Sequence, residues 1–297
     1  MKVLRNRCGQ TVQSVIKYYE NLLSEKSMNI KRDFPSVTVN KKAEAQIRAG
    51  HPWVYGAEIT TGTDAFDNGC LVDVLSMKGS YLGTGLYSRE SKISVRILAQ
   101  NANEQFGEAF FERRIRYAIE YRKTVMREDF SACRLIFGEA DGLPGLTVDK
   151  YGTIIVTQVL SYGMEMRKDM LFSSLVKVLG EFGESVEGIY ERNDVAIRKL
   201  EGLEEYKGWY TGNGMSHPDS VVTVITENGI QYEVNVEEGQ KTGFFLDQKY
   251  NRRAVARIAE GKNVLDCFTH TGSFALNAAA GGAAHVTAVD ISETAIK

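Results

Sequence analysis

At 297 residues, with 43% hydrophobic and 25% charged side chains, the chain is long enough for two or three domains and has an ordinary globular composition. A formal net charge of -2 excludes a generally basic nucleic-acid coat, so any RNA binding must use local patches. Four scattered cysteines without a C-x-x-C pair speak against a disulfide framework or a metal site, and no apolar run approaches the ~20 residues of a membrane helix, so a reducing cytoplasm is the expected compartment.

Residues 1–34 read as an N-terminal extension. Its first 19 residues are basic (Lys2, Arg5, Arg7, Lys17) without an acid, and they lack the apolar core of a secretory signal. A frayed amphipathic segment, or sequence upstream of a start at Met28, accounts for it.

Residues 35–105 read as a small β-rich barrel. Short Val/Ile/Leu runs (Val37, Val39, Leu71–Leu75, Val95–Leu98) are punctuated by Gly50, Gly56, Gly62, Gly69, Gly79, Gly83 and Gly85, with one helix over 41–49. Residues 106–236 read as an α+β unit that opens on a helix over 105–127. Phe110, Phe111, Ile115, Ala118 and Ile119 form its apolar stripe, and Arg113, Arg114, Arg116, Arg122, Lys123 and Arg127 take other positions. Those cations suit a solvated face or an RNA surface. Strands follow at 135–137, 146–148 and 153–160, with Asp141-Gly142-Leu143-Pro144-Gly145 as a turn and a helix over 164–179. Asn228-Gly229, between runs at 223–226 and 231–236, signals a type I′ hairpin.

Residues 237–297 begin with a helix over 246–260, whose Leu246, Tyr250, Ala254 and Ile258 share one side while Lys249, Arg252, Arg253 and Arg257 lie elsewhere on it. A β-α-β opening follows: a strand at 263–268, a helix from Gly272, a strand at 285–290, and a helix N-capped by Ser292. Each strand of this unit ends in an acid, Asp266 and Asp290, at the edge where open α/β sheets bind ligands. A dinucleotide would need G-x-G-x-x-G so that its pyrophosphate could approach the backbone. This loop has only Gly272 and carries bulky Phe268, His270 and Phe274. S-adenosylmethionine (SAM), which has no phosphate, suits it better: Asp266 can attract its ammonium group and Asp290 its ribose hydroxyls. Cys267 reads as a small core residue of the strand.

Three segments carry a family resemblance: Thr242-Gly243-Phe244-Phe245-Leu246-Asp247-Gln248-Lys249, the D-x-F-x-x-x-G-x-F pattern from Asp266 to Phe274, and the turn from Asp141 to Asp149. Together with Gly50-His51-Pro52-Trp53-Val54-Tyr55 they resemble the class I SAM-dependent ribosomal RNA large-subunit methyltransferases with an N-terminal PUA domain, best known for cytosine-5 methylation. The resemblance implies a PUA pseudo-barrel, a central α+β domain that helps hold RNA, and a Rossmann-like methyltransferase sheet. It implies SAM contacts at Phe245, Gln248, Asp266, Phe268, Gly272 and Asp290. Lys41, Lys42 and Arg48, near Trp53 and Tyr55, offer phosphate contacts and stacking for ribosomal RNA, although Trp53 serves equally as a core anchor.

Members of that family continue beyond the second Rossmann strand into an Asn-Pro-Pro-type segment and a nucleophilic cysteine, neither of which this sequence contains. The expectation is a C-terminally truncated, inactive piece of an RNA methyltransferase, with catalytic residues beyond Lys297 and self-association into a homodimer left open. The competing readings are an RNA-binding protein without catalysis and a dinucleotide-dependent oxidoreductase.

Overall fold

The computed structural model describes residues 33–292. The N-terminal extension up to residue 32, and the helix expected after Ser292, lie outside the described residues.

The first unit is a five-stranded sheet in the order β1-β3-β4-β5-β2, formed by β1 (Ser36–Val39), β2 (Trp53–Tyr55), β3 (Leu71–Ser76), β4 (Tyr81–Tyr87) and β5 (Ile93–Ala99). β1 runs parallel to β3, and the other pairings are antiparallel. Helix α1 (Lys41–Arg48) starts where the Asn40 side chain accepts the Ala43 N–H at 3.0 Å, an N-cap that satisfies one orphan donor. Its Ala43 and Ile47 close a core built from alternate strand residues, Val37, Val39, Val54, Val72, Val74 and Val95.

The second unit is built on α2 (Glu108–Met126) and a sheet in the order β10-β9-β8-β7-β6. Its strands are β6 (Ala132–Phe137), β7 (Leu146–Tyr151), β8 (Ile154–Val159), β9 (Gly188–Asn193) and β10 (Tyr206–Trp209). The helix expected over 164–179 is two: α3 (Tyr162–Glu165) and α4 (Lys168–Glu181). β8 and β9 are parallel, so their connection must cross over the sheet, and α4 makes that crossing. Helices α2 and α4 cover one face and supply the largest core, including Phe110, Phe111, Ile115, Ile119, Phe172 and Leu175.

The opposite face is covered by the hairpin β11 (Val222–Glu227) and β12 (Ile230–Asn235), whose Ile225, Tyr232 and Val234 pack with Tyr151, Val156, Tyr190 and Phe244. Its two-residue turn has φ of +53° at Asn228 and +80° at Gly229, as a type I′ turn requires.

The last described elements are α5 (Lys249–Ile258), β13 (Asn263–Cys267), α6 (Ser273–Ala280) and β14 (His285–Val289), with β13 and β14 paired in parallel. Helix α5 inverts the expected polarity. Lys249 and Arg252 are buried at 2% exposure, while Tyr250 and Ile258 are 49% and 74% exposed. Each buried cation has an acid: Lys249 Nζ lies 2.6 Å from Asp129, and Arg252 Nη1 lies 2.7 Å from Glu227. Arg252 also donates to the Phe245 carbonyl at 2.8 Å and lies over the Phe244 ring at 4.5 Å. Specific pairing, which an apolar periodicity cannot register, decides which face turns inward. No described helix is long and apolar enough to cross a membrane.

Candidate cofactor site and nucleic-acid interface

The loop from Cys267 to Gly272 joins β13 to α6 through three left-handed residues at alternate positions: Phe268 at φ +61°, His270 at +51° and Gly272 at +72°. The strand therefore stops one residue earlier than its apolar run suggests. Two of these conformations are borne by residues with side chains, which costs roughly 1–3 kcal/mol each unless the surroundings impose them. Here the two strand-end acids do so. Asp266 Oδ2 accepts from the Thr269 hydroxyl at 2.5 Å and from the Ala275 N–H at 3.0 Å, tying the loop to the first turn of α6. Asp290 Oδ2 accepts from the His270 N–H at 2.8 Å, and its Oδ1 from the Ser292 N–H at 2.9 Å. These backbone donors hold the Asp290 carboxyl below its ordinary pKa and keep it ionised. Thr269 N–H completes the bracing by donating to the Val289 carbonyl at 3.1 Å.

The Phe245 ring meets His270 edge-on, with centroids 5.8 Å apart, and Lys241 Nζ lies 4.6 Å from the Phe245 centroid. Phe245, His270 and Asp290 thus form one cluster at the C-terminal ends of the two parallel strands. Gln248 stands in the same segment, but its amide is taken up locally: it donates to Asp247 at 2.9 Å and accepts from Asn251 at 3.0 Å. Phe268 is 88% exposed and packs on nothing that would fix it as a wall. Cys267 is exposed too, which corrects its reading as a core residue. The β13–β14 pair has two strands among the described residues, and its side chains gain little cover from them.

A carboxylate offers about four lone-pair sites, so each Asp290 oxygen can accept a hydroxyl besides its N–H. A Cβ placed on Gly272 would meet no atom within 4 Å, so the loop backbone borders open space. An ionised acid for a vicinal diol, a second acid for an ammonium, and a loop without a phosphate-binding glycine set together fit SAM. A groove of about 290 Å³ runs from Thr269–Gly272 along Ala275, Ala279, Val286 and Ala288, but neither acid lines it. A larger cleft of about 530 Å³, lined by Asp129, Asn228, Arg253 and Asn277, lies toward the far end of α6 from Gly272. The acids, not the volumes, locate the candidate site.

The candidate RNA residues are distributed differently. Lys41, Lys42 and Arg48 are exposed on α1, and two face acids: Lys42 lies 3.5 Å from Glu58, and Arg48 lies 2.9 Å from Glu44. Trp53 is half-buried, and its indole N–H donates to Glu139 of the second unit at 2.8 Å. It is an interdomain tie as well as an aromatic face. Arg96, 2.8 Å from Glu201, and Arg167, donating to the Gly69 carbonyl at 3.0 Å, add to the same interface.

The basic surface expected along α2 is largely neutralised. Arg113 pairs with Glu104, Arg116 with Glu112 and Glu181, and Lys123 with Glu184. Arg122 grips Asp141 with two bonds of 3.1 and 2.7 Å. The acids come from other elements and from the preceding turn of the helix, which is why the spacing of the arginines alone misleads.

Sequence reasoning missed the buried Arg252–Glu227 pair, the Trp53–Glu139 tie and the docking of the hairpin tip. Asn228 Nδ2 donates to the Lys249 carbonyl at 3.1 Å and to Asn277 at 3.0 Å. Only the last left a signal, an Asn in a turn with a side chain free to bond outward.

This architecture is a PUA-like domain coupled to a SAM-methyltransferase fold: residues 37–100 match the model of the PUA-like domain, and residues 203–297 match that of the S-adenosylmethionine-dependent methyltransferases. Among individual proteins, the chain is 41% identical over 262 residues to Ribosomal RNA large subunit methyltransferase I of Pseudoalteromonas atlantica, covering 88% of this chain and 64% of that protein. The protein of the same description from Klebsiella pneumoniae is 37% identical over 264 residues, covering 89% and 64%. The chain therefore spans about 64% of the length of the curated relatives it matches. A solved structure from Streptococcus mutans, assigned to the SAM-dependent methyltransferases, has the same fold with a TM-score of 0.71 at 24% identity, over 89% of this chain and 65% of that one.

Proposed function

We propose that the chain is part of a SAM-dependent methyltransferase acting on large-subunit ribosomal RNA, with Phe245, Gln248, Asp266, Phe268, Gly272 and Asp290 as its cofactor residues. The observation that carries this reading is the placement of two acids, Asp266 and Asp290, at the ends of adjacent parallel strands, both bonded to the loop that separates them. The similarity to ribosomal RNA large subunit methyltransferases of two bacteria supports the same reading. The glycine-poor loop disfavours a dinucleotide.

When bound, SAM supplies an electrophilic methyl group. The chain's own residues bind and orient: Asp290, held ionised by two backbone donors, accepts the ribose hydroxyls, and Asp266 faces the ammonium. Phe245 offers a ring to the adenine. Gln248 reaches the cofactor only by exchanging its bonds to Asp247 and Asn251. Cytosine carbon 5 is the target we infer, on the resemblance of the sequence motifs. That chemistry requires a thiolate that adds to ring carbon 6. Burial pushes the Cys133 thiol up to about 12, Cys70 packs against the PUA-like core just before β3, and Cys267 ends β13 between Asp266 and Phe268 of the cofactor loop, so none of the three is assigned as that nucleophile. Calorimetric titration with SAM and with NAD tests the reading: saturable SAM binding without NAD binding supports it, and the reverse removes it.

A further inference from the structure

Three large aromatic side chains of the central unit stand in solvent: Tyr117 at 55%, Tyr121 at 59% and Phe137 at 56% exposure. Exposed rings of this size, close together, need an occupant or a reason. Tyr117 and Tyr121 are one turn apart on α2, and Arg114 lies three residues before Tyr117 on the same face. Arg114, Tyr117, Ile97, Leu98, Glu139 and Asp141 line a cleft of about 380 Å³ between the PUA-like sheet and α2. Trp53 reaches the same cleft through its bond to Glu139.

Arg114 differs from its neighbours on the helix. Arg113, Arg116, Arg122 and Lys123 each have a carboxylate partner, whereas among the described residues Arg114 has none. Its guanidinium lies 5.2 Å from the Phe110 centroid, with a 3.4 Å approach to the Leu98 carbonyl. The two acids of this cleft are taken up elsewhere, Glu139 by Trp53 and Arg96 and Asp141 by Arg122, which leaves the half-buried Arg114 guanidinium as its cation for an anion.

From this cleft a chain of contacts leads toward the strand-end loop, its link from Asp149 to Thr242 running through the interior. Arg122 lies 5.0 Å from the Tyr121 centroid and grips Asp141, which in turn accepts the Phe137 N–H at 2.6 Å. Arg134 lies 5.3 Å from the Phe137 centroid and bonds Asp149 at 2.8 Å. Asp149 accepts from Thr242 at 2.6 Å, next to Lys241, which lies over Phe245 beside His270. Tyr121, Phe137 and Phe245 thus each have a cation within 4.6 to 5.3 Å of the ring centre.

We propose that Arg114, Tyr117, Tyr121 and Phe137 form a track for single-stranded RNA, leading from the cleft between the PUA-like and central units to the loop at Phe245 and His270. The proposal rests on the RNA part of the functional reading above. Aromatic plates flanked by guanidinium groups stack unpaired bases without regard to sequence, and a duplex keeps its base faces covered. Because most cations here are already paired with acids, stacking carries the binding, and Arg114 is the main phosphate contact. The salt slope of log K against log salt should then be shallow, about -0.7 to -1.5 for one or two phosphates on a single strand.

The test is fluorescence anisotropy with a labelled single-stranded RNA of about ten nucleotides and with its duplex, alongside SAM calorimetry. Tyr117→Ala, Tyr121→Ala and Phe137→Ala should each weaken single-strand binding by roughly five- to hundredfold. Tyr117→Phe should retain it, because the ring and not the hydroxyl does the stacking, and circular dichroism confirms that each variant is folded. Unchanged binding by all three alanine variants, a preference for duplex, or a steep salt slope would overturn the track. Single-strand binding lost in the alanine variants of a chain that binds no SAM would keep the track and remove the methyl-donor reading instead.

Discussion

The guanidinium of Arg252 and the carboxylate of Glu227 meet at 2.7 Å with side-chain exposures of 2% and 1%, and this contact joins the hairpin to the helix that precedes the SAM-type strands. Burial is the larger influence on the Glu227 carboxyl and raises its pKa, with Arg252 opposing it. Such a pair contributes little by existing but much by being broken, because the survivor is left charged and dry. Arg252→Met should lower stability by about 3–5 kcal/mol, and Glu227→Gln combined with Arg252→Met by less than the Arg252 change alone. Urea denaturation of the wild type and the two variants measures this. Equal losses in the single and double variants would show that packing, not charge, dominates.

The Trp53–Glu139 bond predicts how firmly the PUA-like sheet sits on the central unit. Trp53→Phe keeps most of the ring but removes the donor, at a cost of roughly 1.5–3 kcal/mol for a bond to a charged group. Hydrogen exchange in β2 and β5 should quicken, while the buried strands β7 and β8 stay protected. Unaltered exchange in β2 and β5 would mean that Arg96–Glu201 and Arg167 hold the interface without it.

Thiol chemistry separates the cysteines. Cys267 is exposed at the end of β13, whereas Cys133 is fully buried with its thiol pushed up to about 12, chiefly by desolvation. Thiolate is the reactive form. Iodoacetamide at pH 8 followed by mass spectrometry should modify Cys267 quickly and Cys133 only after unfolding. Native-state labelling of Cys133 at the Cys267 rate would contradict the packing of β6.

Asp290 gives a pH dependence of defined sign. Its folded pKa is depressed, by the N–H groups of Ser292 first and His270 second. The loop therefore gains stability from Asp290 above the ordinary carboxylate range and loses it only as pH falls through the lowered value. An NMR titration should place the Asp290 midpoint below 3.8. A midpoint at or above that value would mean that the loop bonds are not formed in solution.

How much of this was legible in the sequence depended on what kind of interaction decides each element. Local chemistry read well: the Asn228-Gly229 turn and the acid-ended strands around Gly272 need only neighbours a few residues away. The split between α3 and α4 was missed, and so were β9 and β10, whose charged residues Glu191, Arg192 and Lys207 hide the strand pattern. Glu191 and Arg192 are buried because Tyr206 donates to Glu191 at 2.7 Å and Arg192 bonds Asp194 and the Val236 carbonyl. The same cause inverted α5 and emptied the basic face of α2. Where long-range ion pairs choose the buried side, a hydrophobicity pattern points the wrong way.

The central claim is that Asp266 and Asp290 bracket a SAM site. Isothermal calorimetry of SAM with the wild-type chain and with Asp290→Ala addresses it directly, with hydrogen exchange at His270 and Thr269 reporting whether the loop keeps its shape. Asp290→Ala removes the acceptor for both ribose hydroxyls, so affinity should fall by at least about tenfold. The account predicts saturable binding by the wild type and that loss in the variant. SAM affinity untouched by Asp290→Ala, or binding of NAD in place of SAM, would contradict it.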